Sequence, residues 1–139
     1  ERCWTEFWLK HQDVWEFIQK HAVDASVAMA ELSEWIKSLS ERYIVYWVAK
    51  PSAYDWMWLK CYYEIHGPAD KTPIGFKAED INGYKNAVSC VGKLTDFLTF
   101  ITPKELTQTH FALDDAKAQA FMYLRSRQWC RENLQVQHV

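Results

Sequence analysis

Residues 53–65, AYDWMWLKCYYEI, are apolar on nearly every side of a helix. Pro51 precedes the stretch and Gly67-Pro68 follows it, so the helix has a defined beginning and end. A helix that is apolar all round is either central in its domain or covers the surface of a partner or a ligand. This stretch therefore predicts a helical domain and leaves open what covers the helix.

Helical periodicity extends to both sides of this stretch. The apolar stripes predict further helices over 3–22, from residue 24 or 26 to about 48, from about 78 to 101, 102–110, and 113 to about 134. We predict an all-α fold, with residues 1–139 forming a single compact bundle of five to six helices. β-branched and aromatic residues leave an alternative, an α+β fold with short strands near 43–48 and 96–101.

Composition restricts the class of protein. The 139 residues suit one domain, and 16 basic against 18 acidic residues leave a net charge of −2, which argues against a nucleic-acid partner. The longest uncharged apolar run is residues 43–49, far short of the roughly 20 residues that span a bilayer. No membrane partner and no signal peptide are predicted, and we expect a cytoplasmic protein. The chain begins at Glu1, so processing of the N-terminus stays open.

The four cysteines are far apart in the sequence and form no Cys-x-x-Cys motif. They are Cys3, Cys61, Cys90 and Cys130. A chain of this length does not need disulfides for stability, so we expect reduced and mostly buried thiols.

The last predicted helix carries the first candidate site. Tyr123, Arg127 and Arg131 lie within about 80° of one another on a helical wheel, and His138 joins them if the helix continues. Two guanidinium groups could hold a phosphate while a histidine transfers a proton. The alternative is that both arginines extend to solvent or pair with a carboxylate.

Arg131 and His138 also have the spacing of a known motif. An Arg-x6-His pair near the end of an all-α domain resembles the HEPN ribonucleases, in which the Arg and His of an Arg-x4–6-His motif cleave RNA, usually in a dimer. The resemblance implies an enzyme acting on RNA or a nucleotide. It covers these two residues only, and the polar position after the arginine is Glu132 here.

Glu31 and Glu34 form a Glu-x-x-Glu pair on a predicted helix. The pair, with Tyr46, Trp47 and Lys50 after it, resembles the first metal-binding element of the all-α nucleotide pyrophosphatases (the MazG and dimeric dUTPase group). Those enzymes need a second acidic pair, because Mg²⁺ requires several oxygen ligands. Residues 60–66 contain no such pair, so a solvated acidic face is the better interpretation, and no cofactor is predicted.

His11 lies within the apolar stripe of the first predicted helix. We interpret it as a hydrogen-bonded core residue; a metal site shared with distant cysteines is the alternative. No His-x-x-x-His spacing places two ligands on one helical face. No metal site is predicted.

Eight tryptophans are more than one small core can hold. Aromatic side chains left on the surface would anchor a protein partner or stack on a flat ligand. The candidate interface residues are Trp4, Trp8, Trp56, Trp58 and Tyr123. The leading hypothesis is a non-catalytic module that binds a protein partner or a second copy of itself. The alternatives are the small enzyme using Arg127, Arg131 and His138, and a small-ligand binder with an aromatic-lined pocket.

Overall fold

The computed structural model describes residues 1–69, 73–75, 77–102 and 109–134. These residues form seven α-helices, one 3₁₀ turn and two short strands, which confirms the predicted, mostly all-α fold. In chain order they are α1 Arg2–Glu6, the 3₁₀ turn Trp8–Lys10, α2 Gln12–His21, α3 Ala25–Ser40, β1 Val48–Ala49, α4 Ser52–His66, β2 Glu79–Asp80, α5 Ile81–Cys90, α6 Leu94–Ile101 and α7 Ala112–Asn133. Within these ranges, no helix is both long enough and apolar enough to cross a membrane.

The first predicted helix, 3–22, is broken in the structure. The backbone leaves helical geometry at Phe7 and again at His11. The break brings the ring of Trp15 to 5.2 Å from that of Trp4 and to 5.1 Å from that of Trp8. Trp4 and Trp15 would be about 16 Å apart along one continuous helix. Packing of the tryptophans therefore replaces a straight helix with a folded N-terminal segment.

The second predicted helix ends early. Asp24 caps α3 as expected, since its carboxylate accepts a hydrogen bond from the backbone N–H of Ser26 at 2.8 Å. The helix stops at Ser40 instead of continuing to about residue 48. Residues 44 and 45 are β-branched and favour extended backbone, which tertiary pairing then fixes. The strand of the α+β alternative is found here only as β1.

The two strands form a parallel pair. Val48 is opposite Glu79 and Ala49 is opposite Asp80, and the backbone N–H of Glu79 also donates to the carbonyl of Trp47 at 2.8 Å. The alternative placed a second strand near 96–101, but those residues belong to α6. The pairing holds the chain between α3 and α4 against the start of α5.

The long helix predicted over 78–101 is two helices. Gly92 ends α5 with a φ of +72°, a left-handed conformation that glycine adopts without steric cost. The turn lets α6 fold back beside α5 and α7. The short helix predicted over 102–110 falls mostly outside the described residues. The helices predicted over 53–65 and 113–134 are confirmed as α4 and α7.

The main core lies where α5, α6 and α7 meet. Val88, Phe97, Ile101 and Trp129 are buried there, and the rings of Phe97 and Trp129 meet edge to face at 5.3 Å. A second contact joins α3 to α4, where the buried hydroxyl of Tyr63 donates to the hydroxyl of Ser33 at 3.0 Å. Because the core is small, long stretches of α3 and α4 keep one face uncovered.

Asp80 connects these parts. One carboxylate oxygen accepts from the backbone N–H of Asn82 at 2.8 Å and so caps α5. The other oxygen accepts from the backbone N–H of Ser52 at 3.0 Å and from its hydroxyl at 3.2 Å. A single side chain therefore satisfies the first turns of both α4 and α5.

We predict that Asp80→Ala lowers the free energy of unfolding by about 2–3 kcal/mol, because two helix starts lose their acceptor. Urea unfolding followed by circular dichroism measures the change. Asp80→Asn should cost less, since its amide oxygen still accepts one bond. The control is Asp96→Ala in the first turn of α6, expected to cost a few tenths of a kcal/mol. Equal losses for Asp80→Ala and Asp96→Ala would contradict the bridging role.

Candidate functional site

A half-open groove of about 840 Å³ lies between α7 and the segment that carries β1. We call it the aromatic groove. Its walls and floor are formed by Trp35, Tyr46, Trp47, Ala112, Ala116 and Ala120. This volume lies within the range of ligand-binding clefts, and the opening is wide enough to leave both walls in contact with solvent.

The floor of the aromatic groove is a strip of alanines on α7. Ala112, Ala116 and Ala120 are four residues apart, so they share one helical face, and all three are exposed. Methyl side chains let another backbone approach α7 closely. The strip ends at Tyr123, whose ring is only 7% exposed.

The walls of the groove are aromatic and exposed. Trp35 comes from α3 and is 60% exposed; Tyr46 precedes β1 and is also 60% exposed. Trp47 lies beside them, partly buried. On the opposite rim, Leu124 is 64% exposed. The groove therefore offers flat apolar surface on both sides of the alanine floor.

Charged groups of both signs stand at the rim. Lys50 and Asp55 are exposed on one side, and Asp115 lies on the other. The carboxylate of Asp115 accepts from the backbone N–H of Thr109 at 3.2 Å, which fixes its position. Polar contacts at the rim can orient a ligand whose apolar part fills the groove.

Tyr123, at the end of the groove, shares a carboxylate with a second tyrosine. One oxygen of Glu79 accepts from the hydroxyl of Tyr123 at 2.9 Å and from that of Tyr84 at 3.1 Å. Arg127 donates to the Tyr123 hydroxyl at 3.3 Å. Burial first, and then the carboxylate, raise the pKa of both tyrosines. The tyrosines therefore remain protonated donors that hold Glu79.

The candidate arc on the last helix is only partly assembled. Arg127 joins Tyr123, but both Arg127 and Arg131 are exposed, and Arg131 has no hydrogen bond or ion pair among the described residues. His138 lies outside them. Of the described residues of the arc, only Tyr123 is buried, and the other buried residues of α7, Ser126 and Trp129, lie outside the arc.

The candidate interface tryptophans separate into three surroundings. Trp4, 42% exposed, and Trp8, partly buried, belong to the N-terminal ring cluster. Trp56 faces inward, with its indole N–H buried and without a hydrogen-bond partner among the described residues. Trp58 is 57% exposed on the opposite side of α4. Trp56 and Trp58 therefore lie on different sides of α4.

The structure shows no metal site at the remaining candidate ligands, His11, Glu31 and Glu34, among the residues that it describes. His11 is partly buried, with its ring 4.3 Å from that of His110, and no metal-binding group of three or more ligands occurs in the described ranges. Glu31 and Glu34 are exposed, and Glu34 pairs with Lys37 at 3.2 Å, as a solvated face would.

The cysteines are free, as expected, but they are not mostly buried. Cys3, Cys61 and Cys90 are exposed and Cys130 is partly buried. Burial raises the pKa of the Cys130 thiol. The expectation of burial is wrong because the core is too small to cover the helical faces that carry these residues.

No family model matches the chain, and comparison with curated proteins and with solved structures finds no match. The function must therefore be argued from the geometry of the site.

Sequence reasoning missed the aromatic groove itself. Trp35 lies in the apolar stripe of α3, which predicts burial, yet it is 60% exposed. Ala116 and Ala120 do share an arc with Tyr123, but small residues alone do not indicate a binding floor. The sequence does not show that α3 ends early, at Ser40. Because α3 ends there, the chain can place Tyr46 opposite α7 in the groove.

The raised pKa values of Tyr84 and Tyr123 predict that the folded protein loses stability at alkaline pH. Tyr84 and Tyr123 ionise near pH 10 in the unfolded chain, whereas their raised pKa values keep them protonated when folded. The unfolded state then binds fewer protons, so the free energy of unfolding falls as the pH rises past about 10. Urea midpoints at about pH 8 and about pH 11 measure the fall.

Two variants isolate the contribution of Glu79 to this fall. Glu79→Gln removes the charge that opposes tyrosine ionisation, so the fall between the two pH values should be smaller than in the wild type. The exposed Glu41→Gln should leave the fall unchanged. A fall of equal size in the wild type and Glu79→Gln would show that the carboxylate does not act on these tyrosines.

Proposed function

We propose that the protein is a non-catalytic binding module whose aromatic groove takes an amphipathic helix of a protein partner. The observation that carries the proposal is the exposed alanine strip Ala112, Ala116 and Ala120 between exposed aromatic walls. Recognition of a helix in a groove uses apolar anchors at i, i+3, i+4 and i+7, which fit a floor that has no large side chains.

Exposure of the walls supports a macromolecular partner. Trp35 and Tyr46 each leave well over half of their surface in water. Burying such rings contributes more to binding than most other contacts, and tryptophan and tyrosine are enriched among the residues that dominate interface energies. A helix laid along α7 would cover both rings, while the charged rim would set its direction.

The dimensions of the groove favour a second candidate function, the binding of a small flat molecule. A volume of about 840 Å³ lies inside the range of about 300–1,000 Å³ that ligand pockets occupy. Trp35 and Tyr46 would then stack on the ligand. Native mass spectrometry of protein purified without denaturation tests this candidate: a retained non-protein mass that Trp35→Ala loses would favour it over the helix.

A displayed library of peptides about 15 residues long, apolar at i, i+3, i+4 and i+7, tests the proposal directly. Peptides selected on the wild-type protein should lose at least about tenfold in affinity for Ala116→Glu, because the new side chain fills the floor and adds an unpaired charge. Titration by fluorescence anisotropy measures the loss.

The matched control is Ala30→Glu, which changes another exposed alanine, on α3 away from the groove. The affinity of the selected peptides for this variant should stay within about twofold of the wild-type value. Selected peptides that bind Ala116→Glu and Ala30→Glu equally well would contradict the groove as the site. A library that yields no binder, together with a retained small molecule, would replace the helix by the small-ligand candidate.

A further inference from the structure

The helix α4 has two apolar faces, and only one of them is covered. The inner face packs toward α3 through Tyr63, which is 3% exposed. The opposite side, which we call the outer face of α4, carries six exposed apolar or sulfur-containing residues, Tyr54, Met57, Trp58, Cys61, Tyr62 and Ile65. They fall within about 140° of one another on a helical wheel.

We propose that a second copy of this chain covers the outer face of α4, so that the protein is a homodimer with two α4 helices packed antiparallel. This inference is independent of the aromatic groove. With about 150–250 Å² for each aromatic side chain, the exposed fractions of Tyr54, Trp58 and Tyr62 amount to roughly 250–430 Å² per chain, and Met57, Cys61 and Ile65 add to this. A specific interface of standard size buries about 800 Å² per partner, so this face supplies a large part of one.

The exposed apolar surface extends along the length of the helix. Trp58 at 57% and Ile65 at 73% exposure lie in the middle and at the end of the uncovered helix. Homodimer interfaces are richer in apolar surface than other interfaces, and the outer face itself carries no charged residue.

The order of residues along α4 suits a two-fold axis. Tyr54 and Ile65 mark the ends of the outer face, and Trp58 and Cys61 lie on either side of its midpoint. In an antiparallel pair about that midpoint, Trp58 of each copy lies against Cys61 and Tyr62 of the other. Tyr54 then meets Ile65 at both ends, which makes the surface complementary to itself.

The polar side chains beside the outer face favour the antiparallel direction. Asp55 lies in the first turn of α4 and His66 in the last, on the same flank of the outer face. The His66 ring contacts Tyr62 at 5.6 Å between centroids, so it stands beside that face. Antiparallel packing places Asp55 of one copy near His66 of the other, twice per dimer, whereas parallel packing would bring the two Asp55 groups together.

Sedimentation velocity of the wild-type protein between about 1 and about 100 μM tests the proposal, and we expect a dimer over this range. Trp58→Glu should raise the dimer dissociation constant at least about 30-fold with far-ultraviolet circular dichroism unchanged, because an exposed side chain is replaced. Ile65→Lys, at the end of the face, should weaken the dimer in the same direction and stands in if Trp58→Glu misfolds.

Trp35→Glu is the matched control, since Trp35 is exposed to a similar degree but lies in the aromatic groove. It should leave the dimer intact and remove peptide binding, which separates the two proposals. The double variant Trp58→Glu, Tyr62→Lys should recover part of the dimer, because antiparallel packing sets the new carboxylate against the new amine. A wild-type monomer at about 100 μM, or a dimer that Trp58→Glu does not weaken, would overturn the proposal and leave the face to a different protein.

Discussion

The carboxylate of Asp80 is the interaction on which the arrangement of the helices depends. Its two oxygens accept hydrogen bonds from Ser52 and Asn82, so α4 and α5 begin at the same point although 28 residues separate Ser52 from Asp80. The pairing of β1 with β2 holds that point beside α7. Glu79, the neighbour of Asp80, turns the other way and accepts from Tyr84 and Tyr123. Two consecutive acidic residues therefore fix the starts of two helices and hold Tyr123, a residue that lines the aromatic groove.

The helices α3 and α4 are only partly covered by the rest of the described structure. Packing of α5, α6 and α7 forms the main core, and α3 covers only the inner face of α4. The outer face of α4 and the wall residue Trp35 stay in contact with water. Leaving large apolar side chains exposed forgoes roughly 25 cal/mol for every Å² that a partner could cover. The same free energy becomes available to whatever binds, which is why we propose binding at the groove and at the outer face.

The sequence predicted the strongly periodic elements well. α4 and α7 lie where their patterns place them, and Asp24 caps α3 because a carboxylate at that position satisfies an exposed backbone N–H. The prediction of helix boundaries failed where one apolar pattern continues across the break between two helices. Periodicity is the same on both sides of Gly92, so only the packing of α6 against α5 and α7 reveals the turn. The sequence was enough to select Tyr123 and Trp58 as candidate residues. It was not enough to predict the walls of the groove, because Trp35 lies in the apolar stripe of its helix and therefore has the pattern of a core residue.

The amino-acid sequence by itself determined the helical class, the absence of any segment long enough to span a bilayer in the described residues, and the excess of aromatic side chains. These follow from local spacing and composition, which do not depend on distant contacts. Only the tertiary structure decided which aromatic residues face water. The sequence of a helix that is apolar all round, such as α4, does not show which of its sides faces inward. In the structure the inner side is the one that carries Tyr63, which contacts Ser33, 30 residues away. Burial is a property of pairs of elements, so no single helix can specify it.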